Sequence, residues 1–243
     1  MASSNQRILV ITPAYNEARS IAKVISGVRT VLADADILVI DDCSSDDTAA
    51  VASEAGAAVI SHAVNLGYGA ALESGYIYAV RNGYGIVLQM DGDGQHLSEE
   101  LPKILDPVLS GGADLSIGSR YLDGQAKYHT PLARRAGQKL FSALIRLCAG
   151  MKITDPTSGF QCLGARTISL YTSGAFSYDI PDADMLILAH YAGLQIEEVP
   201  VRMVERSAGI SMHSGLKPVY YVMRMFLSIF IVVLGFRRWK RYV

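Results

Sequence analysis

The sequence predicts an α/β fold: a mostly parallel sheet covered by helices on both faces. Two patterns lead to this prediction. In the first half of the chain, short continuous apolar runs alternate with segments of ten or more residues that have helical periodicity. Strands that are apolar on both faces are typical of parallel sheets buried between layers of helices. A chain of 243 residues, of which 50% are hydrophobic, can build one large core of this kind.

The elements can be assigned in chain order from these patterns. Each predicted strand is an apolar run, and each predicted helix has apolar residues every three or four positions. Ser44 or Ser45 is a plausible N-cap for the second helix. The predicted strands are Ile8–Ile11, Ile37–Ile40, Ala58–Ile60, Gly85–Met90 and Leu115–Gly118. The predicted helices are Ile21–Leu32, Ser45–Ala55, Gly69–Arg81 and Leu132–Cys148.

Charge is unevenly distributed along the chain. The net charge of −1 argues against a general affinity for nucleic acid. After Pro200, however, a single acid, Glu205, stands against a much larger basic set, which predicts a polyanionic surface or ligand near the C-terminus. The basic residues are Arg202, Arg206, Lys217, Arg224, Arg237, Arg238, Lys240 and Arg241. The three cysteines form no CxxC pair, so we expect reduced thiols in a cytosolic setting.

The C-terminal segment is nearly all apolar from Pro218 to Phe236. Its length just reaches the ~20 residues that a membrane-spanning helix needs, but Arg224 interrupts it. We expect a membrane-associated helix, interfacial or re-entrant, on the cytoplasmic face of the cell membrane. A helix buried against the domain or in a homo-oligomer is the alternative. The chain is therefore predicted to contain one domain over residues 1–212 and an apolar helix with a basic tail over 213–243.

Polar clusters follow each of the first four predicted strands. They are Thr12–Glu17, Asp41–Asp46, Asn65–Gly69 and Asp91–Asp93. Ligands in open α/β sheets bind beyond the carboxyl ends of the strands, so these clusters predict a nucleotide site at one edge. The sequence argues against a dinucleotide-binding or P-loop site, because G-x-G-x-x-G does not follow the first strand and G-x-x-x-x-G-K-[ST] does not occur.

Asp91 and Asp93 are the candidate metal ligands. In an extended segment they would point to the same side, and two hard carboxylates at that spacing can hold Mg²⁺ or Mn²⁺ against a diphosphate. The alternative is an ordinary turn rich in Asp and Gly. An EF-hand does not fit, since His96 stands where the loop needs Gly and Pro102 where it needs Glu.

The ordered motifs resemble those of family 2 glycosyltransferases, and within that family the polyprenyl-phosphate sugar synthases of the dolichyl-phosphate mannose synthase type. The resemblance covers roughly residues 8 to 212. The matching segments are Ile11–Glu17, Asp41–Thr48, Asn65–Ala71, Asp91–Gln95, Gly118–Arg120, Asp155–Phe160 and Glu198–Pro200. The chain departs from the family pattern at Tyr68, where a basic residue is common, at Gln161, where arginine is common, and at Met212, where lysine is common.

The resemblance implies a GT-A fold and inverting transfer of a hexose from a GDP- or UDP-linked sugar to a polyprenyl phosphate. It also implies Mg²⁺ or Mn²⁺ at Asp91 and Asp93. The implied nucleotide-sugar contacts are Pro13, Tyr15, Glu17, Asp42, Asn65, Gly67, Asp91 and Gln95.

The acceptor decides which other residues the reaction needs. A hydroxyl must lose a proton, and Asp155, Asp182 or Asp184 could take it. A phosphate is already an anion and needs cations, for which Arg120 and Arg206 are the best candidates. We therefore take Asp155, Asp184 and Arg120 as candidate catalytic residues. The alternative hypotheses are a transferase acting on a saccharide hydroxyl and a non-catalytic membrane scaffold. A nucleotidyltransferase would need a glycine-rich loop with a following Arg and Lys after the first strand, and the sequence has none there.

Overall fold

The computed structural model describes residues 6–122, 132–177, 181–204 and 217–235. The strands are β1 (Ile8–Ala14), β2 (Asp36–Asp41), β3 (Ala58–Ser61), β4 (Ile86–Gln89), β5 (Leu115–Ser119), β6 (Gln161–Gly164) and β7 (Ile196–Pro200). The helices are α1 (Ile21–Val31), α2 (Thr48–Glu54), α3 (Tyr68–Arg81), α4 (Leu101–Leu109), α5 (Leu132–Ala149), α6 (Ala165–Tyr171), α7 (Ala183–Tyr191) and α8 (Lys217–Leu234).

The strands form one sheet in the order β3-β2-β1-β4-β6-β5-β7. All pairs are parallel except those of β6, which runs antiparallel to β4 and β5. The predicted mostly parallel sheet is therefore confirmed. Because β6 is reversed, its first residue, Gln161, pairs with Gln89 at the end of β4. The loop before β6 thus reaches the edge of the sheet at which β4 ends.

Alternate side chains of each central strand pack into opposite helix layers. Leu9 and Ile11 of β1 join the core formed with α3, α5, α6, α7 and α8, while Val10 joins the core formed with α1, α2 and α4. All three side chains are at most 1% exposed. This burial on both faces explains why the strand sequences are continuously apolar.

The predicted elements of the first half are present, with small shifts at their ends. The proposed N-cap of α2 is wrong: the helix begins at Thr48, after Asp47. Ser44 and Ser45 are instead engaged by the preceding loop, since the Asn16 amide donates to Ser44 Oγ (2.9 Å) and the Ser45 amide donates to Asn16 Oδ1 (2.8 Å).

The C-terminal helix α8 packs against α7. Met225, Ile229 and Val232 lie on its inner face, buried in the core shared with α3, α5 and α7. Its outer face is largely apolar and exposed, at Met223, Phe226, Leu227, Phe230, Ile231 and Leu234, and it also includes the exposed Arg224. Among the helices of the described residues, none has both the length and the apolar character to span a bilayer. The predicted domain boundary at residue 212 lies outside the described residues.

Candidate active site

The loops that follow β1, β2 and β4 are joined by hydrogen bonds at one edge of the sheet. The Glu17 amide donates to Thr48 Oγ1 (2.8 Å), which joins the β1 and β2 loops. Ser20 Oγ donates to the Gly92 carbonyl (2.7 Å), which joins the β1 and β4 loops. From β1 the chain first adds β2 and β3 on one side and then β4 on the other, so the strand order switches between β1 and β4. Open α/β sheets bind ligands in the crevice at such a switch point. The predicted convergence of the polar clusters is confirmed.

Asp42 organises the loop between β3 and α3. Its carboxylate accepts hydrogen bonds from the amides of Leu66 and Gly67, both at 2.8 Å, and lies 2.8 Å from His62 Nδ1. Asn65 Nδ2 donates to the Asp42 carbonyl (3.2 Å). Gly67 has φ +94°, a conformation that favours glycine. Three predicted nucleotide contacts, Asp42, Asn65 and Gly67, are therefore neighbours, and the side chain of Asp42 is already engaged in shaping their loop.

The other predicted nucleoside contacts lie on the β1 loop. Pro13 is buried at the end of β1, Tyr15 is 51% exposed, and Glu17 is half-buried. The Tyr15 ring is thus accessible, and the adjacent Asn16 joins the β1 loop to the loop after β2 through Ser44 and Ser45. Their contact with a nucleoside stays a prediction.

Asp91 and Asp93 lie on a turn after β4. The expectation of an extended segment is wrong, because the strand ends at Gln89 and the chain turns at Gly92 and Asp93. Asp93 Oδ1 accepts the Gln95 amide (2.9 Å), a local bond typical of Asx turns. Gln95 is in turn bonded to Val204, whose amide donates to the Gln95 carbonyl (3.0 Å). The turn is therefore held from the β7 side as well.

The carboxylate of Asp91 is positioned by two aromatic residues. Tyr68 Oη donates to Asp91 Oδ1 (3.0 Å), and His96 Nε2 lies 3.8 Å from Asp91 Oδ2. His96 Nδ1 accepts the Asp91 amide (3.0 Å), so a neutral His96 carries its proton on Nε2. Burial lowers the pKa of His96, which favours that neutral form. The ring also stacks on Phe160, with centroids 4.8 Å apart.

The donor set at this turn fits a divalent cation shared with a diphosphate. Asp91 and Asp93 supply hard oxygens, and the Asp91 side chain is 31% exposed toward the recess. Within the residues that the structure describes, no group of three or more His, Cys, Asp or Glu side chains could hold a metal ion. Mg²⁺ is commonly bound by one or two carboxylates with substrate phosphates and water, so two aspartates are sufficient.

Arg120 and Asp155 form a buried ion pair. Arg120 Nε and Nη2 donate to the two oxygens of Asp155 at 2.6 and 2.7 Å, and the Arg120 amide adds a third bond at 3.1 Å. The Asp155 side chain is 0% exposed and that of Arg120 is 8% exposed. Glu198 fixes the same loop by accepting the amides of Thr154 and Asp155. The predicted base and the predicted phosphate ligand thus neutralise each other.

Two further carboxylates, Asp182 and Asp184, are held by hydroxyls of α8. Tyr221 Oη donates to Asp182 Oδ2 (2.6 Å), and Ser228 Oγ donates to Asp184 Oδ2. Burial raises the pKa of Asp182 to about 7, and the negative charges of Asp184, Asp155 and Asp91 act in the same direction. Burial also raises the pKa of Asp184. Asp182 is one of the three possible bases that the sequence offers, and a pKa of about 7 suits it to proton transfer near neutrality.

An open recess lies between the Asp91 turn and the loop before β6. It brings together the predicted residues Asp91, Gln95 and Arg120. Its lining residues are Asp91, Gln95, His96, Arg120, Thr157, Ser158, Gly159 and Met203. Sequence reasoning missed His96, although it directly follows the Asp91–Gln95 motif, and Glu198, which was noted only within a motif. Arg206, the other predicted phosphate ligand, lies outside the described residues.

Comparisons with known proteins agree with this architecture. Residues 9–168 match the model of the family described as Glycosyl transferase family 2. The chain is 35% identical over 221 residues to a polyprenol monophosphomannose synthase of Mycolicibacterium smegmatis, with 86% of this chain and 82% of that protein covered. It is 33% identical over 217 residues to an undecaprenyl-phosphate mannosyltransferase of Micrococcus luteus, with 86% and 88% covered.

Among solved structures, glucosyl-3-phosphoglycerate synthase of Mycobacterium tuberculosis superposes with a TM-score of 0.72 at 21% identity. The match covers 95% of this chain and 80% of that chain. That crystal structure is a complex with Mn²⁺, uridine-diphosphate-glucose and phosphoglyceric acid. The likeness confirms the predicted GT-A fold.

Proposed function

The chain belongs to glycosyl transferase family 2, and we propose that it is an inverting glycosyltransferase that moves a hexose from a nucleotide-diphosphate sugar to a polyprenyl phosphate at a membrane surface. The two relatives described above are a polyprenol monophosphomannose synthase and an undecaprenyl-phosphate mannosyltransferase, and each aligns with this chain over most of its length. The structural observation that best supports the proposal is the Asp91–Asp93 turn at the crevice between β1 and β4, beside the loop that Asp42 organises.

The donor would lie along this crevice. Pro13, Tyr15, Glu17 and Asp42 would bind the nucleoside, with Asn65 and Gly67 completing that wall. The diphosphate would reach Asp91, Asp93 and Gln95, where Mg²⁺ or Mn²⁺ would stabilise the charge that develops on the leaving nucleoside diphosphate. The neutral His96, with Nε2–H in the same recess, can donate a hydrogen bond there as well.

The acceptor phosphate would attack the anomeric carbon from the opposite side. As an anion it needs no proton removed, but its charge must be offset. Arg120 lines the recess and keeps a planar guanidinium fixed by Asp155, while Arg206 is the second cation that we assign to this task. Asp155 would then act by orienting Arg120, and Asp184 by fixing α7 to α8.

The outer face of α8 suits a membrane surface. Phe226, Phe230 and Leu234 lie on one side of the helix and are 42%, 59% and 70% exposed. In the sequence, the basic cluster Arg237–Arg241 follows directly, and such clusters are attracted to anionic lipids. We infer that α8 rests in the interface at the cytoplasmic face, where a polyprenyl phosphate head group is found.

The acceptor is tested by offering polyprenyl phosphate and the matching free polyprenol in parallel, with labelled GDP- and UDP-sugars. Transfer to the phosphate alone is the expected result, since Arg120 lines the recess and we assign Arg206 to the same acceptor. Equal transfer to both lipids, or transfer only to a saccharide hydroxyl, would contradict the proposal.

Asp182 favours a second candidate, a transferase acting on a hydroxyl. A carboxylate whose pKa is raised to about 7 could accept the proton of a saccharide acceptor. The same assay separates the two, because only a hydroxyl acceptor would make turnover collapse in Asp182→Asn while donor binding is retained.

A further inference from the structure

Tyr68 occupies the first position of α3 and reaches across to the Asp91 turn. Its hydroxyl donates to Asp91 Oδ1 (3.0 Å). The contact joins the start of α3 to the loop after β4. Asp91 and Asp93, the residues expected to bind metal, both lie on that loop. Tyr68 is also a position at which this chain departs from the basic residue common in its family.

The direction of this hydrogen bond is set by a buried chain of donors behind it. Tyr76 Oη donates to Gln89 Oε1 (2.5 Å), and Gln89 Nε2 donates to Tyr68 Oη (3.2 Å). Because Tyr68 Oη accepts from Gln89, its one hydrogen is left for Asp91. Tyr76 and Gln89 are 1% and 2% exposed, so they are held by the packed core and reorient little.

The space around the Tyr68 hydroxyl is closed by Gly159, from the loop before β6. A Cβ atom added at Gly159 would lie 2.6 Å from Tyr68 Oη and 3.3 Å from Asp91 Oδ1. The absence of a side chain there is what allows the hydroxyl and the carboxylate to meet. Three segments that are distant in sequence thus define one contact.

We propose that Tyr68 is a positioning residue for Asp91, fixing the carboxylate so that Oδ2 is presented to a divalent cation in the recess. The inference rests on the proposed function and adds to it the residue that prepares the site. A hydrogen bond to Oδ1 restricts the rotation of the carboxylate, so less order must be gained when a cation binds. Residues that orient a metal ligand in this way typically change metal affinity by about 10–100-fold.

The test is the affinity for Mn²⁺, measured from the electron paramagnetic resonance signal of the free ion, with Mn²⁺ alone and with Mn²⁺ plus UDP or GDP. Tyr68→Phe removes the hydroxyl and keeps the ring, so we expect affinity about 10-fold weaker. Tyr191→Phe is the matched control, because it removes a tyrosine hydroxyl bonded to the Cys148 carbonyl (2.9 Å), and it should leave the affinity unchanged.

Two further measurements distinguish positioning from a general structural effect. Excess Mn²⁺ should restore turnover in Tyr68→Phe, with the half-saturating Mn²⁺ concentration raised by the same factor. Tyr76→Phe should weaken Mn²⁺ binding less than Tyr68→Phe, and the double variant should be no worse than Tyr68→Phe, because both act through one chain of bonds.

The outcomes separate this inference from the function on which it rests. Equal Mn²⁺ affinity in Tyr68→Phe and the unaltered protein would overturn the role of Tyr68 and leave the metal site standing. No Mn²⁺ binding by the unaltered protein, with or without a nucleoside diphosphate, would overturn the metal-dependent function and this inference together.

Discussion

At the scale of single residues, Asp93 offers the most direct test of the metal proposal. Asp93→Asn keeps the size of the side chain and can still accept the Gln95 amide, but it removes the negative charge. Activity should require Mg²⁺ or Mn²⁺ and fall by about 10² or more in this variant, as expected for loss of one electrostatic stabiliser. Rates are compared with those of Asp34→Asn, an exposed control. Full turnover in excess EDTA would refute the metal requirement.

Arg120 has a structural role that any acceptor assay must take into account. Removing it leaves Asp155 charged and buried without its partner, which typically costs about 3–5 kcal/mol. Arg120→Ala should therefore lower the free energy of unfolding in urea by roughly that amount. Arg166→Ala, which breaks an exposed pair with Asp114, should cost at most about 1 kcal/mol. A similar small loss in both variants would mean that the buried pair is not what holds this loop.

Asp182 should make stability depend on pH. Its pKa rises from 3.8 to about 7 on folding, mainly through burial, so between these values the folded state binds more protons than the unfolded state. Stability therefore falls as pH rises through this window and levels off above it. The free energy of unfolding, measured by chemical denaturation, should fall less between pH 5 and pH 8 in Asp182→Asn than in the unaltered protein. Asp34→Asn should behave like the unaltered protein. Identical slopes for all three would exclude the shift.

At the scale of elements, α8 has two faces with different tasks. Its inner face contributes Met225, Ile229 and Val232 to the core, so removing the whole helix would expose apolar surface and test stability rather than membrane binding. Single substitutions separate the two tasks. They also decide between a lipid surface and a second copy of the chain as the partner of the outer face.

Phe230→Glu places a charge on the outer face and should reduce binding to anionic vesicles, with little change in melting temperature or donor binding. Ile229→Glu, one residue away but 4% exposed, should unfold the protein or lower its melting temperature sharply. Sedimentation of the variants with vesicles is the measurement. Unchanged sedimentation of Phe230→Glu, together with loss of a dimer in size-exclusion chromatography, would assign the face to a second copy.

At the scale of the whole molecule, donor binding should stabilise the fold only when a metal is present. A ligand at 100 times its Kd contributes about 2.7 kcal/mol, which corresponds to several degrees in the melting temperature of a chain of this size. A panel of UDP- and GDP-sugars with and without Mn²⁺ would identify the base by the largest shift. Equal shifts in the presence of EDTA would argue against the shared metal and diphosphate site.

The N-terminal half of the molecule was predictable because its signals are local. Apolar runs such as Ile37–Ile40 are buried on both faces, and the polar loops follow each strand directly. The strands β6 and β7 were missed because they are short and partly polar, at Gln161 and at Glu197 and Glu198. Pairing of β6 with β4 is also non-local, so no periodic pattern announces it.

In the candidate site too, local motifs were predictable and contacts between distant segments were not. Asp42, Asp91 and Asp93 are recognisable from their motifs, but their partners are not. Arg120 and Asp155 were predicted as separate functional groups, and only the fold, which brings residues 35 positions apart into contact, pairs them. The bond between Tyr68 and Asp91 likewise spans 23 positions and crosses two loops.

The reversed strand β6 also has a consequence for the order in which the protein matures during synthesis. A nascent chain that has emerged as far as Asp91 already contains Tyr68, but Gly159 and Phe160 have yet to be made. Domains generally fold as units, and pairings between strands distant in sequence are slow to form. We therefore expect the recess beside Asp91 to be completed only after β6 has been inserted between β4 and β5.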